Sequence, residues 1–325
     1  MGTQAWAQAH PVAPIGAAGE IVGGPSRSFQ ASSPAVLAQS WPSPIAPGAA
    51  PAESFTWIKA LAAMLVAGLL AGFAAGLFGI GGGFVVVPAL FAVLPLMGGD
   101  PGQYAHVAIG TSAATIIVTS IRSARSHAKR GAVDFDILKS WAPWVVLGDV
   151  VGVLLAGHVD SRVLTLIFSI GVLLMSINFL VPSLSKRVIA DAMPQGVVRA
   201  GIASGLGAFS SVLGIGGGTI AIIVMTLCGR PIHKAVATAS GIGTLIAIPS
   251  AIGFAFVGFH EGGLPWGSLG YVNGPAALAV ASMSLLTAPL GVAAAHSLPT
   301  ALLKRSFGLY LVLIAGLMFR NAMAH

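Results

Sequence analysis

The chain has 325 residues, of which 56% are hydrophobic and only 8% charged, a balance that excludes the mixed surface and core of an ordinary soluble domain. Forty-three glycines fit a membrane protein, because glycine lets transmembrane helices approach closely and interrupts a helix where backbone faces a cavity. The net charge of +7 would suit a nucleic-acid partner, but the placement of the basic residues accounts for it by membrane topology, and none is expected. The single Cys228 leaves no intramolecular disulfide and no Cys-rich metal site to build.

Residues 1–54 are rich in Ala, Pro, Gly and Ser, carry Arg27 as their one basic residue and lack helical or strand periodicity, which predicts a disordered extracytoplasmic tail. No basic segment precedes an apolar one there, so the first apolar helix is expected to direct insertion. Apolar stretches then follow at Trp57–Phe78, Ile80–Met97, Ala105–Ile121, Trp141–Val159 and Val163–Val181. Beyond a basic break come Val197–Leu213, Ile215–Cys228, Ala235–Phe259, Leu269–Ala295 and Leu298–Phe319. A span takes about 20 apolar residues, so the second and seventh, both glycine-led, are short for one. The expected organisation is a first membrane repeat over 55–183, a cytoplasmic linker over 184–195 and a second repeat over 196–325.

Orientation follows from counting Lys and Arg in alternate loops. Ten crossings put Arg122, Arg125, Lys129, Arg130, Lys139, Lys186, Arg187, Arg199, Arg230, Lys234, Lys304 and Arg305 on one side, 12 of the 16 basic residues, and Arg27, Lys59, Arg162 and Arg320 on the other. The first side is read as cytoplasmic. The chain is thus expected in the inner membrane as a multi-pass protein with both termini extracytoplasmic.

The five letters Gly79-Ile80-Gly81-Gly82-Gly83 recur at Gly214-Ile215-Gly216-Gly217-Gly218, 135 residues on. The stretch from His106 to Ser112 lines up with Ala235 to Gly241, Thr115 falls opposite Thr244, and Gly152 pairs with Gly291. Five segments per half is an odd number, so the second copy enters from the opposite face. The predicted fold is therefore an all-α polytopic membrane protein of about ten segments in two inverted five-segment repeats with glycine-led broken helices, an architecture of secondary transporters.

In such folds substrate sits where paired helices break. Gly81, Gly82 and Gly83, with Gly216, Gly217 and Gly218, would aim backbone N–H groups and a helix start into the gap, which favours an anion. Thr111, Ser112, Thr115, Ser240 and Thr244 are candidate donors that avoid the cost of a buried cation. Against this, glycines also serve helix packing alone, the role given to Gly68, Gly72 and Gly76, so that Gly72→Ala is expected to affect transport much less than a bulky residue at Gly82 or Gly217. Hydroxyls in membrane helices often bond to their own backbone. Asp149, inside a span and opposite Ala288 in the repeat, is the candidate coupling residue, with a structural ion pair or a water cavity as alternatives. His127, in a basic loop, has no ligand-type neighbours at metal spacing and reads as structural. No catalytic residue, metal or cofactor is expected. The partners expected are a small anion and membrane lipids, with self-association left open.

These residues resemble the TauE/SafE sulfite exporters. The resemblance runs from Ala60 to Arg320 and is carried by Gly76-Leu77-Phe78-Gly79-Ile80-Gly81-Gly82-Gly83 with Pro88, by Gly110-Thr111-Ser112, by His127 with Gly131, Val133 and Asp134, and by the second glycine cluster. It implies a transporter, usually an exporter, of small sulfur-containing anions such as sulfite, sulfoacetate or other organosulfonates. The second half carries Thr238-Ala239-Ser240 near where the family pattern has Gly-Thr-Ser, a departure that bears on substrate choice. Rival readings are a cation or metal transporter, which calls for more intramembrane acidic, His or Cys residues, and a membrane enzyme, which calls for a nucleophile with its base.

Overall fold

The computed structural model describes residues 54–78, 81–181, 190, 192–297 and 300–324. The expected tail, most of the expected linker, and Gly79 with Ile80 lie outside the described residues. Among the described residues there are ten α-helices: α1 Ser54–Phe78, α2 Gly83–Val93, α3 Tyr104–Ala128, α4 Phe135–Gly157, α5 Ser161–Leu180, α6 Gly196–Leu213, α7 Gly218–Leu227, α8 Ile232–Val257, α9 Gly274–Ser297 and α10 Thr300–Ala324. A 3-10 turn, Leu94–Met97, prolongs α2, and a two-residue hairpin, β1 Ser268–Leu269 with β2 Val272–Asn273, precedes α9. Eight of the helices are long and apolar enough to cross a membrane; α2 and α7 are the shorter ones, the pair that sequence length singles out.

Helix α3 runs seven residues past the expected end of its apolar stretch, so Arg122, Arg125 and His127 sit on its last turns rather than in a loop. The chain then reverses through Gly131, at φ 65°. Asp134 starts α4 by accepting a hydrogen bond from the Ile137 N–H at 3.1 Å, which satisfies one of the orphan donors of a helix N-terminus. The Asp134 N–H donates to Thr238 Oγ1 at 2.9 Å, tying this corner to α8. Gly131 and Asp134, two of the residues that carry the family resemblance, thus have a plain role in turning the chain.

Small residues set the closest helix pairs. Gly68, Gly72 and Gly76 of α1 face Val280, Ser284 and Ala288 of α9, so the two helices run parallel. Gly148 and Gly152 of α4 face Ser204 and Ala208 of α6, again in parallel. Along α3 and α8, Gly110 meets Phe254, Gly243 meets Ser120 and Ser123 meets Ser240, an antiparallel crossing. With lipid outside, such contacts gain little from the hydrophobic effect and depend on close packing, which a missing Cβ permits. Ser284 Oγ reaches across the α1–α9 seam to the Gly68 carbonyl at 2.9 Å.

A Cβ on Gly72 would run into the backbone of Ser284, which has no side-chain rotamer to yield. Gly72→Ala is therefore not mild: it should destabilise by about 1–3 kcal/mol, the usual cost of overpacking. Gly201→Ala, where nothing lies within 4 Å, should stay within about 0.5 kcal/mol of the parent. Thermal melting of the purified proteins in detergent reads both.

Candidate functional site

Gly81, Gly82, Gly216 and Gly217 all adopt positive φ, at 76°, 83°, 68° and 68°. An L-residue with a side chain pays about 1–2 kcal/mol in this region. Gly82 and Gly217 are the N-caps of α2 and α7, and neither start has a side-chain cap. Two helix N-termini, each with its positive dipole end and uncapped by side chains, therefore begin at the two glycine clusters.

The clusters touch each other. A Cβ on Gly83 would overlap the Gly214 carbonyl oxygen and stand 2.7 Å from Ile215 Cα. Ile116 of α3, fully buried, fills the remaining space: a Cβ on Gly81 would lie 3.1 Å from its Cγ2, and one on Gly216 2.9 Å from the same atom. Hydroxyls of α3 brace both breaks. Thr119 Oγ1 donates to the Gly81 carbonyl at 3.0 Å and Ser112 Oγ to the Gly214 carbonyl at 2.8 Å.

The other sequence candidates are placed as follows. Thr111 Oγ1 accepts the Asn273 N–H at 2.8 Å, which pins the hairpin before α9 rather than a glycine break. Thr115 donates to the Ser112 carbonyl, one turn back on its own helix. Ser240 bonds the Val236 carbonyl and shares a hydrogen bond with Ser123, and Thr244 bonds the Ser240 carbonyl at 3.3 Å. Back-bonding to the helix thus engages Thr115, Ser240 and Thr244, although each hydroxyl oxygen keeps accepting capacity.

Sequence reasoning missed two hydroxyls that have no partner. Ser210 Oγ and Thr219 Oγ1 are buried without a hydrogen bond, and Ser210 Oγ stands 2.8 Å from where a Cβ of Gly217 would be. Thr219 is in the first turn of α7. The available signal was the repeat itself: where the second half has Ser210 and Thr219, the first has Ala75 and Phe84. Ile116 and Thr119 were missed as well, since an apolar residue and a threonine in an apolar helix carry no pattern of their own.

Asp149 is fully buried in α4. Ser250 of α8 donates to its Oδ1, while Oδ2 has no partner. Ser211 of α6 donates to the Asp149 backbone carbonyl at 3.2 Å. The carboxyl is thus held by α8 and lies against α6 within one turn of the second glycine cluster, with no basic side chain hydrogen-bonded to it. Among the described residues no group of three or more His, Cys, Asp or Glu side chains is placed to hold a metal ion.

The profile of the family described as sulfite exporter TauE/SafE matches residues 64–318. The chain belongs to the TauE/SafE family. This is a family of membrane transporters, and the most similar relatives carry names of the same kind. A probable membrane transporter protein of Haemophilus influenzae is 35% identical over 256 residues, covering 78% of this chain and 96% of the relative. Another from Methanocaldococcus jannaschii is 28% identical over 73% of this chain and 87% of its own length. YunE of Bacillus subtilis, named in the same way, is 25% identical over 77% and 94%. No solved structure matches the chain.

Within this TauE/SafE chain the hydroxyls should separate into two groups on mutation. Ser112→Ala removes the donor to the Gly214 carbonyl and should cost about 1 kcal/mol. Ser210→Ala removes a buried hydroxyl that bonds nothing in the protein, and its melting temperature should equal or exceed that of the parent.

Proposed function

We propose that the protein exports a small sulfur-containing anion, such as sulfite, sulfoacetate or another organosulfonate, across the inner membrane. The carrying observation is that two glycine-started helices meet at one buried junction. Backbone N–H groups and unpartnered hydroxyls at that junction suit the oxygens of an anion and stop short of the affinity of a fixed cation, so the cargo is released again. The description of the family names sulfite, and a junction whose donors are backbone N–H groups and hydroxyls agrees with it.

The fold proposed for this task is an inverted repeat of ten alternating crossings. Helix directions support it. Segments one and nine run parallel, as do four and six, whereas three and eight oppose each other. With eight crossings, α3 and α8 would run the same way. Exchange of the halves also carries contact onto contact: Gly72 on Ser284 becomes Gly207 on Val145, and Gly291 on Phe73 becomes Gly152 on Ala208. Rocking of one half against the other about the glycine junction then exposes it to each side in turn.

The distribution of basic residues supports a cytoplasmic α3–α4 corner with both termini outside. In a Cys228→Ser background, Ser126→Cys should resist a membrane-impermeant maleimide in intact cells and react after permeabilisation. Labelling from outside reverses the orientation.

An interior-negative potential already drives each negative charge outward by about 2.3 kcal/mol per 100 mV. Vesicles loaded with sulfite or sulfoacetate should release it under an imposed potential, with related sulfonates competing and cations without effect. Gly82→Leu and Gly217→Leu should abolish release, and Ser210→Ala should slow it at unchanged stability. Asp149 is proposed as the proton-binding group, so Asp149→Asn should remove whatever pH dependence the parental efflux shows. Efflux equal to that of protein-free vesicles for every sulfur anion, with a metal ion or neutral solute moving instead, refutes the substrate class.

A further inference from the structure

On one flank of the molecule α1, α2 and α10 do not close on one another. Small side chains, among them Ala63 and Ala67 of α1 and Ala92 of α2, leave a lipid-facing groove of about 640 Å³ whose far wall is Tyr310 to Arg320 of α10. The groove is apolar along its length and ends at Arg320 and Asn321. A second chamber of about 660 Å³ adjoins it, sharing Phe91 and Asn321, and is lined by Tyr104, Asp160, Ser161 and Arg162. Each chamber is of the size that buries a ligand.

We propose that these two chambers together form a binding site for one aminophospholipid, with an acyl chain in the groove and the headgroup in the polar chamber. Length supports this occupant. From Tyr310 to Arg320 the helix rises about 15 Å, ten steps of about 1.5 Å, which is half of a hydrocarbon core about 30 Å thick. The groove therefore has the depth of one leaflet, and Arg320 stands where that leaflet meets its headgroups.

Charge supports it too. Arg320 and Arg162 are exposed and line the two adjoining chambers, and among the described residues neither guanidinium has a carboxylate partner. Guanidinium groups match phosphate oxygens in geometry as well as in sign. Asp160, on the lining of the same chamber, adds a carboxylate beside them. A headgroup carrying an ammonium as well as a phosphate meets both signs, whereas a purely anionic one meets Asp160 with like charge. Tyr104 and Ser161 lie between as further hydrogen-bonding groups. The two arginines belong to the minority of basic residues on the extracytoplasmic side, where the positive-inside tendency gives them no topological role. The leaflet rests on the proposed orientation; the site itself does not.

The test is native mass spectrometry of delipidated full-length protein titrated with equimolar dioleoyl phosphatidylethanolamine and dioleoyl phosphatidylglycerol. The parent should retain one phosphatidylethanolamine in preference to phosphatidylglycerol. Arg320→Ala and Arg162→Ala should each lower retention about five-fold, the size expected of one basic side chain beside lipid headgroups. Ala63→Phe and Ala92→Phe, which fill the groove from lipid-exposed positions, should abolish it. Retention unchanged in the groove-filling variants overturns the site, and so does preference for phosphatidylglycerol. A protein dimer that the groove-filling variants split while lipid retention stays constant assigns the groove to a second copy and equally overturns it. None of these outcomes depends on which solute is transported.

Discussion

The structure turns on a backbone-to-backbone approach at the start of two short helices. Gly83 lies against the Gly214 carbonyl and Ile215 Cα, closer than any side-chain-bearing residue allows, and both preceding glycine pairs adopt positive φ. These constraints explain why a run of three glycines opens each short helix. They also set the rest of the interior: α3 must pass beside the junction, and its side chains there are those that brace it, Ser112 and Thr119 with hydroxyls and Ile116 with bulk. A buried helix start needs partners for its orphan N–H groups, and neither of these two starts has a side-chain cap.

The two halves meet this demand differently. Position for position, the second half places Thr219, Ser210 and Ser211 where the first has Phe84, Ala75 and Gly76, and α4 places Asp149 where α9 has Ala288. Phe84 is fully buried and packs edge-on against Phe307, which stacks on Phe78. The first break is therefore packed by an aromatic cluster, while the second is bordered by a carboxyl and by hydroxyls without partners. The two glycine breaks thus present different side chains, aromatic at the first and polar at the second.

Much of this was legible in the sequence for identifiable reasons. Apolar runs and the two short glycine-led segments announced ten helices of the right order, because hydrocarbon demands length and forbids charge. The glycine clusters announced the breaks, because only glycine is cheap at positive φ. The extension of α3 through Arg122 and His127 was not legible, since a helix can continue into water with polar residues and hydropathy sees only its apolar part. The packing role of Gly72 was legible from its four-residue spacing, but not that the atoms opposite it are backbone.

The hydroxyls were the least legible, and the reason is physical. A serine or threonine in a membrane helix has three uses: bonding its own carbonyl, tying a neighbouring helix, or waiting for a ligand. All three are served by the same letter. Thr115 and Thr244 bond their own helices, Ser112 and Thr119 tie the breaks, and Ser210 and Thr219 bond nothing. An unmet buried hydroxyl costs about 1–3 kcal/mol, a cost that helix packing alone does not offset at a position where alanine would fit, as Ala75 does in the first half. On the proposed reading an anion arriving at α7 accepts from both hydroxyls and relieves that cost, so the groups that packing leaves unmet are the ones that favour its entry.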